Sequence, residues 1–322
     1  MIVQYGAGGG VDTVIRAACG VLERILGSRF VVINMPGAVG SLASAEVFRR
    51  PADGYTLLGA GDYSKSHRVL GLSTTVPWKD WQYYKLAGSI PAWSVRYDSP
   101  YKTIADVVED ALARPGKVRV STSGIGGAWH EATLIGLGPT GAEFTYVPYS
   151  GGAEAALAGL RGDVEVIASG VHEVVQFLRA DQLRTLAVFS QRPIEVPGVR
   201  QPLRTLAESL PGVAVGGLDY PMVLGFKRDV DPSILKKLEV ALQDAVADPD
   251  FTRVLHERVI FPDFLSGAEA DREAAYYESL TAWTFWEHQL PGVRVDPSAL
   301  GIPRPENFEQ WWPPTGYRPA IP

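Results

Sequence analysis

Three glycine-rich stretches stand where an extended apolar run hands over to a helical pattern: GAGGGVD at 6–12, SGIGGAWH at 123–130 and YSGGAE at 149–154. Glycine at such a handover lets the main chain approach a bound group with no side chain in the way. The first turn of the helix that follows offers peptide N–H groups without an intrahelical partner, at the positive end of the helix dipole. The chemistry this supports is capture of an anion by backbone donors. A micromolar ligand needs about 8 kcal/mol. Hydrogen bonds to a charged group contribute about 1.5–3 kcal/mol each, so four or five donors suffice for a carboxylate without an arginine clamp.

Competing chemistries fail on spacing. A dinucleotide fingerprint would need a third glycine at Val11 after Gly6 and Gly8, and the second extended run ends at Asn34 rather than at an acid. No Gly-Lys-Ser/Thr phosphate loop and no Gly-x-Ser-x-Gly elbow occurs. Ser123, His130 and an aspartate could form a hydrolytic triad on paper, but His130 falls inside the following helix and reads as a structural histidine. One cysteine, Cys19, and five histidines do not make a four-ligand zinc site, and Cys19 lies on a packed helical face. Trp129 sits in the first turn after a glycine loop and is expected to line the ligand. Trp78, Trp81, Trp93, Trp283, Phe285 and Trp286 read as packing. Lys65, His67 and Arg68 form either a solvated loop or a source of positive charge beside the site.

The elements that must hold these loops follow an α/β rhythm. Ile2 to Tyr5 is extended, and Val11, Val14, Ile15, Ala18, Leu22, Ile25 and Leu26 recur at helical spacing up to a glycine stop at Gly27. Phe30 to Ile33, the helix SLASAEVFRR and the strand YTLLGA come next. A second α/β domain is expected from about Asp98 to Asp219: the helix IADVVEDALA behind a Thr103/Asp106 capping box, then VRVST, FTYVPY, AEAALAGL, VEVIA, VHEVVQFLRA and LRTLAVFS. The chain then returns to the first domain through YPMVLGFK. Helices follow that start at Asp231-Pro232 and Asp248-Pro249, and a long one starts behind a Ser266/Glu269 capping box. Residues 291–322 hold eight of the 24 prolines, which predicts an extended strap or partial disorder.

Composition sets the outer limits. At 322 residues, 46% hydrophobic and 20% charged, the chain is sized for two globular domains with a substantial core. Thirty Lys and Arg against 36 Asp and Glu, a formal net charge of -6, argue against nucleic acid as a partner. No apolar run is long enough for a membrane helix.

Taken together, GAGGGVDTVIR, VVINMPGAVGSLASAEVFRRPADGYTLL, STSGIGGAWHEA, VPYSGGAEAALAGLRGDVEVIASGV and LRTLAVFS resemble the solute-binding proteins of tripartite tricarboxylate transporters, the Bug or TctC-like family. The resemblance runs from about Val3 to the long last helix. It implies a type II periplasmic binding-protein fold, α/β in class, with two lobes joined by two crossover strands and a ligand cleft between them. Lobe 1 would comprise 1–97 and 220–322, including the proline-rich tail 291–322, and lobe 2 would comprise 98–219. Closure would hinge near Arg96 to Asp98 and Asp219 to Met222.

Carried over residue by residue, the resemblance nominates Ala7, Gly8, Gly9, Ser123, Gly124, Gly126, Gly127 and Tyr149 as ligand-binding, with Ser150 and Gly151 beside them. Gly127 stands where the family commonly has Ser, and Ser150 where it has Lys. Ser169 replaces a frequent acid, so the implied ligand is a small organic carboxylate, aromatic ones included, without an amine. GDYSKSHRVLG is unlike the usual segment, which bears on ligand identity. The resemblance further implies a periplasmic monomer whose export signal has been removed, serving transporter subunits or a sensor, with no cofactor, no metal and no catalysis. The alternative is an enzyme on the same scaffold, with Ser123, His130 or Glu131 acting on the bound acid.

Overall fold

Two α/β units emerge from this alternation, and the computed structural model describes residues 1–213 and 219–321. The first unit comprises Met1–Gly88, Pro221–Glu257 and Phe261–Pro322; the second comprises Ser89–Tyr220 and Arg258–Ile260. The chain opens with β1 (Ile2–Val3), α1 (Gly10–Leu26), β2 (Ile33–Asn34), α2 (Ser41–Arg49), β3 (Leu58–Gly61), α3 (Pro77–Asp80) and β4 (Trp81–Ser89). It continues through β5 (Pro91–Arg96), α4 (Ile104–Ala113), β6 (Arg119–Thr122), α5 (Ala128–Leu137), β7 (Thr145–Pro148), α6 (Gly152–Arg161), β8 (Val166–Gly170), α7 (Val171–Arg179), β9 (Leu183–Val188) and α8 (Leu206–Ser209). The return supplies β10 (Tyr220–Lys227), α9 (Pro232–Ala247), α10 (Pro249–Glu257), β11 (Phe261–Leu265), α11 (Gly267–Glu287) and α12 (Phe308–Trp311).

The first sheet has the order β11-β4-β10-β3-β1-β2, with β1 parallel to β2 and β3 and with β10 antiparallel to β3. The second has the order β7-β6-β8-β5-β9, with β6 parallel to β7 and β8 and with β5 antiparallel to β8 and β9. Both sheets are therefore mixed. The antiparallel members β5 and β11 and the long β4 are elements that periodicity did not separate. WQYYKLAGSIPAWSVR reads as one apolar run because all nine residues of β4 and five of the six in β5 are buried, which removes the period-2 signal. The chain leaves the first unit at Gly88; the boundary expected at 97/98 lies at the far end of β5, where Arg96 and Asp98 form an ion pair of 2.6 Å.

Packing explains the helices. The core of the first unit gathers Leu58, Tyr63, Trp81, Tyr83 and Val223. In the second unit Trp93, Val95, Val120 and Val166 pack one face of the sheet, while Ile167, Val171, Val175 and Val188 pack the other. Gly27 stops α1 in the left-handed region (φ 64°), and the Thr103/Asp106 box caps α4. Ser266 does not cap α11; its hydroxyl donates to Glu239 Oε1 instead, which ties α11 to α9.

The proline-rich tail is ordered through residue 321 and folds against its own unit, with short helical turns at Pro297–Leu300 and Pro305–Asn307 before α12. Trp78 meets Trp311, Trp312 and Tyr317 with ring centroids 5.8, 5.8 and 6.2 Å away. Two buried ion pairs fasten it. Arg228 grips both carboxylate oxygens of Asp271 at 2.9 and 2.7 Å and donates to Arg318 O. Arg68 donates to Glu278 Oε1 at 2.9 Å and to Leu300 O at 2.7 Å.

Burial pushes the Glu278 carboxyl up to about 7; Arg68 offsets this only in part, and the charge of Asp80 adds to it. A carboxyl that holds its proton more tightly when folded makes the folded state lose stability as pH rises from about 4.5 to about 7. Urea denaturation across that window should therefore show wild-type stability falling relative to Glu278→Gln. A pH-independent difference would mean that Glu278 stays ionised throughout.

Candidate ligand-binding site

In the second unit two of the glycine loops leave neighbouring parallel strands. Gly124 (φ 113°) and Gly126 (φ 78°) turn the chain after β6 so that α5 starts at Ala128 behind Gly127, with no side-chain cap. A Cβ at Gly127 would lie 3.1 Å from both Ser123 O and Gly124 O, so the serine common at this position in the family would be crowded here. After β7, Tyr149 N–H bonds Thr122 O at 2.9 Å, and α6 starts at Gly152 behind an extended Gly151, again without a side-chain cap. In the first unit α1 starts behind Gly9 in the same way, after Gly8 at φ 81°. Side-chain caps close α4 and α9, at Thr103 and Asp231, while α2, α3, α7 and α11 also start without one. The starts that follow glycine loops keep their first peptide donors clear of side chains.

Each of these loops is held by the same device. The third residue of the helix reaches back four positions to the N–H just before the cap. Asp12 accepts from Gly8 at 2.9 Å, His130 Nδ1 from Gly126 at 3.1 Å, and Glu154 from Ser150 at 3.1 Å. Asp12 is buried and also accepts from Asn34 and Arg16. Burial alone would raise its pKa, but the Arg16, Gly8 and Asn34 bonds together hold it below the usual carboxylate range. Burial pushes His130 down to about 4, which keeps the ring neutral and lets Nδ1 accept. With that nitrogen committed to Gly126 and its ring against Tyr146 (centroids 4.0 Å apart), His130 has its accepting nitrogen turned to its own loop rather than to Ser123. Asp12, Arg16, Asn34 and Glu154 escaped the sequence reading as site residues; the signal was an acceptor four residues after a loop glycine or serine.

Other expected residues fall differently. Trp129 is only 6% exposed and packs in the core of the second unit, its ring near His172 and Tyr220. Ser150 Oγ is taken by Glu154. Ser169 is fully buried, and the β6/β8 register, carried two residues on, brings it level with Ser123. The hydroxyls of Ser169 and Thr122 are buried without a hydrogen-bond partner among the described residues. Glu173, four residues on, accepts from Gly170 N–H at 2.9 Å and lies against Gly152.

Lys65, His67 and Arg68 are neither a solvated loop nor a positively charged rim. Lys65 is 3% exposed, with its ammonium 4.8 Å from the Tyr277 ring centroid. His67 donates to Val39 O, and burial pushes its pKa down to about 4. Arg68 is spent on Glu278 and the tail. The segment still has an unusual backbone: Asp62, Tyr63 and Ser64 all lie in the left-handed region, as do Ala38 and Val39, at the carboxyl ends of β3 and β2. Gln4 spans both turns by donating to Ser44 and Ser64 and accepting from Gly61 N–H.

Two α/β units of this topology have the fold of periplasmic binding proteins. A solved periplasmic binding protein, BugD, is similar to this chain with a TM-score of 0.79 at 23% identity, covering 90% of this chain and 97% of that one. Residues 14–270 match the tripartite tricarboxylate transporter family receptor, TctC, and the chain belongs to that family of solute receptors. Among relatives, protein BugT of Bordetella pertussis is 28% identical over 274 residues, 79% of this chain and 83% of its own length. An R. palustris protein solved with adipate is similar at 24% identity and a TM-score of 0.76, covering 94% and 97% of the two chains.

Two glycine substitutions separate scaffold from surface. A Cβ at Gly152 would lie 1.9 Å from the Glu173 carboxylate, so Gly152→Ala should cost about 1–3 kcal/mol in urea denaturation. Gly20, inside α1 with open space beside it, should gain up to about 1 kcal/mol as alanine. Equal effects at the two positions would refute the close packing of Glu173 on α6.

Proposed function

We propose that this receptor captures a small organic carboxylate lacking an amine and delivers it, unchanged, to membrane transporter subunits or a sensor, acting as a monomer in the periplasm. The observation that carries this reading is the set of uncapped, glycine-preceded helix starts of α1, α5 and α6, set against side-chain capping of α4 and α9. The proposed donors are the remaining peptide N–H groups around Ser123, Gly124, Gly126 and Gly127, around Tyr149, Ser150 and Gly151, and around Ala7, Gly8 and Gly9. Ser169 and Thr122 add hydroxyls that have no hydrogen-bond partner among the described residues. A buried hydroxyl left unmade costs about 1–3 kcal/mol, so a bound acid or its water would recover that loss.

An amine finds little here. The carboxylates beside these loops are already engaged: Glu173, with a side chain only 5% exposed, accepts from Gly170 N–H at the start of α7, and Glu154 accepts from Ser150. With Trp129 packed into the core, an aromatic ligand loses its expected stacking partner, so aliphatic acids are favoured. Adipate, bound by the R. palustris protein, is an acid of this kind. Turnover is disfavoured because His130 has no acceptor nitrogen left for Ser123.

The test is a melting-shift panel of adipate, malate, glutamate and adipamide, with mass spectrometry of the recovered compound. At a hundred times its dissociation constant, a binding acid should stabilise the protein by about 2.7 kcal/mol. Diacids should outrank glutamate, and adipamide should give no shift. Equal binding of the amide would defeat the anion argument, and a transformed product would defeat the receptor reading.

A further inference from the structure

The arginines of this chain mostly sit within ion-pair distance of a carboxylate, as with Arg16 and Asp12, Arg114 and Asp110, Arg119 and Glu165, and Arg161 and Asp163. One place in the second unit breaks that habit. A cavity of about 590 Å³ beside β9 is lined by Lys102, Arg184, Arg200 and Arg204, against only two acids, Asp181 and Glu208. Glu208 is used as a helix cap for Thr205, and Arg200 reaches Asp181 only at 3.6 Å. Arg184 donates to the carbonyls of Tyr97 and Tyr101, and Lys102 to that of Ser99, so both are held in place without losing their charge. In a chain of net charge -6 this is a local excess of positive charge.

The same cavity runs along a strand edge. β9 ends the order β7-β6-β8-β5-β9, and the segment that returns beside it bridges only its far end, Val188 to Thr205. Tyr97 N–H bonds Gln182 O, so the antiparallel alternation with β5 turns the peptide groups of Thr185 away from β5. Thr185 is half-buried and lines the cavity, with the apolar side chains of Leu186 and Val199 beside it. Peptide groups on a free edge pair with an added strand, and side chains on either side of it select the sequence.

We propose that this groove docks an extended acidic segment of a partner protein, which pairs with the edge of β9 at Thr185 and sets its carboxylates against Arg184, Arg200, Arg204 and Lys102. Charge complementarity and the peptide groups of an outermost strand lining the cavity, with residues 199–204 as its other wall, together favour a peptide over a small anion. The site is separate from the ligand loops, so it stands whether or not the carboxylate reading holds.

The probe is a fluorescent peptide alternating glutamate and valine, read by anisotropy at physiological salt on the full chain. Its glutamine counterpart, a backbone N-methylated version and vesicles of anionic phospholipid complete the set. Arg200→Glu/Arg204→Glu changes two exposed side chains; Arg29→Glu/Lys237→Glu, on the first unit, is the charge-matched control. The glutamate peptide should bind, the glutamine and N-methylated versions at least about tenfold more weakly, and the Arg200/Arg204 reversal should weaken it by about tenfold or more while the control leaves it within about twofold. Adipate melting shifts, where present, should be the same in both variants. Equal binding of the N-methylated peptide would reduce the groove to a simple anion patch, and equal loss in the control would reduce it to net charge. Vesicle binding without peptide binding would make it a membrane face. Each of these results overturns the proposal.

Discussion

The structure turns on peptide N–H groups that are deliberately left open. A glycine at the N-cap costs only about a few tenths of a kcal/mol relative to Ser, Thr, Asp or Asn, so these helix starts are left without a side-chain acceptor at little expense. The chain uses such caps at α4 and α9 and withholds them at α1, α5 and α6. A loop with open donors and glycine freedom would wander, and the back-reaching side chains at Asp12, His130 and Glu154 prevent that by fixing one N–H from behind. The arrangement separates two duties that a capping box combines: restraining the loop and satisfying the helix start. Only the first is performed by the protein's own side chains at these three starts.

The choice of histidine at one of the three positions follows from the same logic. Asp12 and Glu154 restrain their loops by placing a negative charge at the positive end of the helix dipole. His130 restrains without charge, provided that it stays neutral. Burial against Tyr146 secures this by pushing its pKa well below the histidine norm. The buried ring thus serves electrostatics by carrying no charge.

Much of this was legible beforehand because glycine and proline punctuate strongly. The loops at 6–12, 123–130 and 149–154, the stop at Gly27 and the caps at Thr103 and Asp231 are local features, and local sequence predicts them. What was not legible depends on burial on both faces or on partners distant in sequence. β4 shows no alternation because it lies inside its sheet, and the Ser266 hydroxyl chose Glu239, 27 residues away, over its own helix. Lys65, His67 and Arg68 look like a solvated cationic run until α11 and the tail cover them. Glu173 is the clearest case. Its carboxylate accepts from Gly170 N–H and occupies the space that a side chain at position 152 would fill, a packing relation between two helices that no local pattern announces.

The tail answers a problem raised by the strained turn in the first unit. Three successive non-glycine residues, Asp62 to Ser64, hold left-handed backbone, a conformation that costs about 1–2 kcal/mol per residue. Such a turn persists only if its surroundings over-determine it. Gln4 fixes it from the sheet side through Ser64 and Gly61. On the other side the segment that follows is pinned through Arg68, whose guanidinium joins Glu278 of α11 to Leu300 of the tail. Arg228 repeats the pattern with Asp271 and Arg318. The tail lies beyond residue 270, where the family match ends, and it is joined through Arg68 and Leu300 to the segment that follows the strained turn. Strap and turn are thus tied into one packed unit.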